Sequence, residues 1–128
     1  MTESGTRNRA LVSVIDDDES VRESLPDLLR VCGYEAQAFS SAEEFLASDH
    51  VDATRCLILD VELPGMKGPR LQVELKRRAP ALPIIFVTAH DENVRARLIE
   101  QGAVECLIKP FTDMALLEAL AAAIPVIL

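Results

Sequence analysis

No apolar run in this sequence approaches the length needed to cross a membrane. Met1 to Arg9 is polar and lacks the apolar core of a signal peptide, so residues 1–10 are expected to form a flexible leader and the protein to be cytoplasmic. Positive charge is scarce: 13 Lys and Arg stand against 21 Asp and Glu, giving a net charge of -8 and a pI near 4.7. That balance argues against direct nucleic-acid binding by this domain, because a phosphate backbone repels an acidic surface. Cysteine is limited to Cys32, Cys56 and Cys106, widely spaced and flanked by apolar residues. An odd, scattered set suits neither a disulfide framework nor a zinc site, and all three are expected as buried free thiols. Internal repeats and low-complexity segments are also missing, and 128 residues leave room for one domain with a single core.

What is there is organised around Leu57-Ile58-Leu59-Asp60, followed by Val61-Glu62-Leu63-Pro64-Gly65. Four apolar residues from Cys56 running into an acid read as a strand buried on both faces that ends at Asp60. At the carboxyl edge of a parallel sheet the loops diverge and leave a crevice, which is where ligands bind.

Leu11 to Ile15 reads as a β-branched strand that stops at four consecutive acids, Asp16 to Glu19. Asp18 is placed to cap a helix carrying Val21, Leu25, Leu28, Leu29 and Cys32 on one face up to Gly33, with Pro26 inside it. Tyr34 to Phe39 is a second strand, and Ser41-Ala42-Glu43-Glu44 is a capping box opening a short helix with Phe45 and Leu46 inward. Val51 to Arg55 reads as a polar connection. Gly68-Pro69 starts a third helix, with Leu71, Leu75 and Arg78 on one face. Pro83 to Thr88 is a strand, Asp91 to Gln101 a helix closed by Gly102, and Val104 to Ile108 the last strand, ending at Lys109-Pro110. Thr112 caps a final helix with Leu116, Leu117, Leu120 and Ile124 inward, stopped by Pro125. Five strands alternating with five helices make an α/β fold with a parallel sheet and helices on both faces.

The strand ends then supply Asp16 with Asp17, Asp60, Thr88 and Lys109 on one edge. Carboxylates gathered this closely raise one another's pKa unless a divalent cation sits among them, and few, hard oxygen ligands suit magnesium. Lys109 and Thr88 across the same crevice suit a phosphoryl group, one as a point charge and one as a hydroxyl donor.

With those residues in view, the chain from Leu11 to Ile124 resembles the receiver domain of two-component response regulators. The likeness lies in Val14-Ile15-Asp16-Asp17-Asp18, in Leu59-Asp60-Val61-Glu62-Leu63-Pro64-Gly65-Met66-Lys67-Gly68, in Val87-Thr88-Ala89-His90 and in Ile108-Lys109-Pro110-Phe111. Ser41 to Leu46 is similar to the nitrogen-fixation type, whose receivers precede a helix-turn-helix output domain. The resemblance implies a flavodoxin-like, doubly wound five-stranded sheet in order 2-1-3-4-5 across a receiver domain at 11–124, with 125–128 starting a linker. It implies that Asp60 takes a phosphoryl group from a sensor histidine kinase and that Mg2+ is held by Asp16, Asp17, Asp60 and the backbone carbonyl of Glu62. Thr88 and Lys109 would contact the phosphoryl oxygens, and the Lys109-Pro110 bond would be cis. The only catalysis implied is of the domain's own phosphorylation and dephosphorylation. The partner surface would be the face of Asp91 to Gln101, the last strand and the final helix, used in a homodimer that controls transcription.

Four residues depart from the family pattern, of which Pro26 and Pro69 sit at tolerable places. Cys106 stands where receivers carry a tyrosine or phenylalanine that moves with the threonine, so the switch formed by Thr88, Ala89 and Cys106 is expected to be weaker. Glu62 adds an acid beside the site. Two alternatives remain open on sequence. A haloacid-dehalogenase-type phosphatase also uses a strand-end Asp with magnesium and a lysine, but it needs a second Asp where Glu62 stands. A phosphate-independent interaction module would have lost some of Asp60, Thr88 or Lys109.

Overall fold

The computed structural model describes residues 9–89 and 92–124. The expected leader up to residue 8, His90, Asp91 and the stop at Pro125 lie outside the described residues. Five strands, β1 (Leu11–Ile15), β2 (Glu35–Phe39), β3 (Thr54–Asp60), β4 (Ile84–Thr88) and β5 (Glu105–Ile108), alternate with α1 (Glu19–Val31), α2 (Ala42–Leu46), α3 (Gly68–Arg78), α4 (Glu92–Glu100) and α5 (Asp113–Ala123). All strand pairs are parallel, in the order β2-β1-β3-β4-β5, which is the expected flavodoxin-like arrangement.

Alternation along the central strands explains why the helices cover both faces. Leu57, Leu59 and Phe86 point into one cluster with Phe45 of α2, Leu71 and Leu75 of α3 and Leu98 of α4. Cys56, Ile58, Ile85 and Val87 point into the other, with Leu25 and Leu29 of α1 and Leu116 and Leu120 of α5. The helix starts follow the capping residues: Asp18 accepts the Ser20 amide at 3.0 Å, Ser41 the Glu44 amide at 3.0 Å and Thr112 the Ala115 amide at 3.0 Å. The Ser41 box differs from expectation in its return bond, since Glu44 accepts from the amide of Ser40 and not of Ser41.

Three expectations need correction. Cys32 is exposed, because it caps α1 one residue past its last turn, whereas Cys56 and Cys106 are buried. The stretch before Cys56 already belongs to the sheet: β3 begins at Thr54, whose hydroxyl donates to the His50 carbonyl at 2.6 Å and accepts from Ser13 at 2.7 Å. Arg78 is exposed and leaves the Leu71–Leu75 stripe to donate to the Leu46 carbonyl at 3.1 Å. Both edges of the sheet carry an arginine on a strand carbonyl. Arg30 donates to Ala36 of β2 at 3.0 Å, and Arg95 to Cys106 of β5 at 3.1 Å.

Candidate functional site

The candidate site lies at the carboxyl ends of β1, β3, β4 and β5. Sheet pairing extends just past these ends, with the Asp16 amide on the Phe39 carbonyl at 3.1 Å, that of Val61 on Val87 at 3.0 Å and that of Lys109 on Thr88 at 2.8 Å. Asp16, Asp17 and Asp60 are brought together with one carboxylate oxygen from each within 4.8 Å of the others. Asp16 and Asp60 are buried and Asp17 is exposed. The Lys109 ammonium approaches Asp16 at 3.4 Å and Asp60 at 3.8 Å. A cavity of about 420 Å³ adjoins them, lined by Asp16, Asp60 and Lys109 and by the apolar Leu25, Val87 and Phe111.

Local hydrogen bonds hold the acids in place. Asp16 accepts the Asp18 amide at 2.9 Å, and its own carbonyl accepts from the Arg22 guanidinium at 3.0 Å. Asp60 accepts the Glu62 amide at 3.0 Å. At Gly68, a Cβ would come within 2.7 Å of the Asp60 carbonyl, so α3 starts directly behind that residue and only glycine fits.

Burial is the main cause that pushes the Asp60 carboxyl up, to about 6; the Glu62 amide and Lys109 oppose this, while Asp16 and Glu62 add to it as like charges. Burial also works against the Lys109 ammonium, but Asp16 and Asp60 outweigh it and hold its pKa above the ordinary value. The arrangement is therefore an excess of negative charge partly answered by Lys109, and the donor set of three carboxylates fits a hard divalent cation.

Thr88 is fully buried, and its hydroxyl donates to the Glu62 carboxylate at 3.2 Å. Ala89 is exposed. Cys106 lies in register with Phe86 and points into the α2–α4 cluster. Its carbonyl takes the Arg95 bond, and Arg95 also pairs with Glu105 at 2.8 Å. The Lys109-Pro110 bond is cis. Sequence reasoning missed Arg22, Arg95 and Glu43, whose Oε2 accepts the Met66 amide at 2.9 Å. These contacts span elements, and nothing in local patterning signals them.

Similarity to known proteins points the same way. The family model described as Response regulator receiver domain matches residues 12–121. The chain belongs to this family. Nodulation protein W of Bradyrhizobium diazoefficiens is 48% identical over 123 residues, covering 95% of this chain and 53% of that protein. Response regulator protein TodT of Pseudomonas putida is 40% identical over 116 residues, covering 90% and 51%. The chain thus spans about half the length of these relatives. Among solved structures, the non-phosphorylated HemR receiver domain from Leptospira biflexa matches with a TM-score of 0.83 at 26% identity, covering 94% of this chain and 98% of that one. The phosphatase alternative finds no support in these likenesses. Among the described residues no helix is long and apolar enough to cross a membrane.

Proposed function

We propose that Asp60 is the phosphoacceptor of this receiver domain and takes its phosphoryl group from a sensor histidine kinase. The observation that carries the reading is the meeting of Asp16, Asp17 and Asp60 within 4.8 Å at the strand ends, with Lys109 reaching two of them. With a carboxyl pKa of about 6, Asp60 is ionised at pH 7 and has a lone pair to attack phosphorus in line. An oxygen–phosphorus bond forms as the bond from phosphorus to the donor nitrogen breaks. Lys109 then places its charge on a phosphoryl oxygen, and Thr88 donates its hydroxyl to another. Asp16, Asp17, Asp60 and the Glu62 carbonyl would hold Mg2+, which would supply positive charge against the negative charge of the transferred group.

The kinase-facing state is read out, on this proposal, by the face of α4, β5 and α5 through homodimerisation. It controls transcription through an output domain of the kind the relatives' additional length accommodates, and the Ser41–Leu46 motif favours the nitrogen-fixation type. The same reading gives the domain no catalysis beyond its own phosphorylation and dephosphorylation, and a cytoplasmic setting.

Incubation with a small phosphodonor and magnesium tests the acceptor. Intact mass should rise by one phosphoryl group in the native chain and stay unchanged in Asp60→Asn. Equal phosphate on the variant would place the acceptor elsewhere.

A further inference from the structure

Glu43 takes no part in the proposed phosphoryl chemistry, yet its carboxylate reaches the loop that leaves Asp60. Its Oε2 accepts the Met66 amide at 2.9 Å across 23 positions of sequence. Gly65, at φ +72°, lies so close beneath it that a Cβ there would stand 2.8 Å from the same oxygen. The adjacent Glu44 behaves differently. It stays within its own helix start, accepting the Ser40 amide at 2.7 Å and the Ser40 hydroxyl at 3.0 Å. One acid closes a local turn and its neighbour crosses to another element.

The loop from Val61 to Lys67 is held near its start by the Val61 amide on Val87 and by the buried Leu63 side chain, and at its end by the Gly68 amide on the Val61 carbonyl at 3.2 Å. Between Leu63 and Gly68, Glu43 supplies a backbone anchor from outside the loop. A carboxylate on an amide is a charge-assisted bond, roughly twice as strong as a neutral one. The anchored segment also carries Glu62, whose amide sits on Asp60 and whose carboxylate sits on Thr88.

We infer that Glu43 is a positioning residue for the cation site: through the Met66 amide it holds the Val61–Lys67 loop, and with it the Glu62 backbone, in the place magnesium requires. The inference rests on the proposed reading of that site. Losing an outer partner that orients a ligand typically costs about 10- to 100-fold in metal affinity. Glu43 is exposed, so removing it leaves the core intact.

Calorimetric titration of magnesium alone into the full 128-residue chain tests this, with urea unfolding of each protein alongside. Glu43→Ala should weaken magnesium binding roughly ten-fold, the lower end of what loss of an outer partner costs. Glu43→Gln, which keeps an acceptor oxygen, should recover most of the loss. Glu44→Ala should lower the urea midpoint by loosening the Ser40 turn, with magnesium affinity unchanged. Native affinity in Glu43→Ala, or an equal loss in Glu44→Ala, overturns the inference. A native chain that takes up no magnesium overturns instead the reading of the site on which the inference stands.

Discussion

The two halves of the sheet edge are built on different physics. On the β1–β3 side, Asp16 and Asp60 are fixed by short bonds to nearby backbone amides, and the half reduces to charges held at set points. On the β4–β5 side, long side chains reach between elements: Glu62 to Thr88, and Arg95 to both Glu105 and the Cys106 carbonyl. The first half holds charge at set points, and the second joins separate elements through side-chain bonds. On the proposed function Thr88 must change partner, since its hydroxyl has one proton and cannot give it both to Glu62 and to a phosphoryl oxygen.

The comparison is broken most severely at Cys106. Forcing an aromatic into this buried position, beside Phe86, should cost about 2 kcal/mol by overpacking. Urea unfolding of Cys106→Phe measures it, and an unchanged midpoint would mean that this half retains room for an aromatic to swing inward. Sedimentation of the phosphorylated variant then asks whether self-association strengthens, as an aromatic that packs better in one state than the other requires.

A comparable effect of opposite sign is expected in the charged half. The Asp60 carboxyl titrates near 6 in the folded domain against an ordinary 3.8, raised chiefly by burial. The folded chain therefore keeps a proton on Asp60 that the unfolded chain has already lost, and this group's contribution to metal-free stability falls as pH rises from about 4 to about 6, then stays at the lower level. Asp60→Asn removes that burden. It should be more stable than the native chain at pH 7 by about 2 kcal/mol after allowance for solvent screening at this half-open site, and the gain should fade toward pH 4. A gain that persisted undiminished in acid would have a cause other than ionisation.

Glu62→Ala sharpens the contrast by a smaller amount. Thr88 loses the carboxylate it now serves, a bond worth about 1 kcal/mol net, so the fraction phosphorylated at limiting phosphodonor should rise roughly five-fold. A lower fraction would show that Glu62 assists the reaction. Smallest of all, Arg95→Lys should cost under about 1 kcal/mol, because the Arg95–Glu105 pair is partly exposed. Faster amide exchange confined to β5 would be its signature.

How much of this was legible in the sequence follows the same division. The strands and helices could be read because each apolar stretch kept one period, and the acids because they sit where those stretches end. Thr54 was hidden because a polar residue inside a strand looks like a connection until its hydroxyl partners, Ser13 and the His50 carbonyl, are known. Cys32 misled because helical spacing put it on the apolar face one residue after the helix had stopped covering the sheet. The capping-box spacing marks Glu44 as the acid that folds back on its own helix start, whereas nothing in the sequence marks Glu43 as the one that reaches the Met66 amide beside Gly65.

The arginines on the two outermost strands carry a consequence for assembly. An open sheet offers its outer strands as templates for adding another strand, which is the route to edge-to-edge aggregation. Arg30 on Ala36 and Arg95 on Cys106 each occupy a carbonyl that an incoming strand could use, and both bring a positive charge to the rim. A second copy meeting the β5 side must then engage side chains of the neighbouring helices, with the sheet ending at each molecule's own border. Self-association on that face would be reversible and saturable, with none of the open-ended growth that strand addition permits.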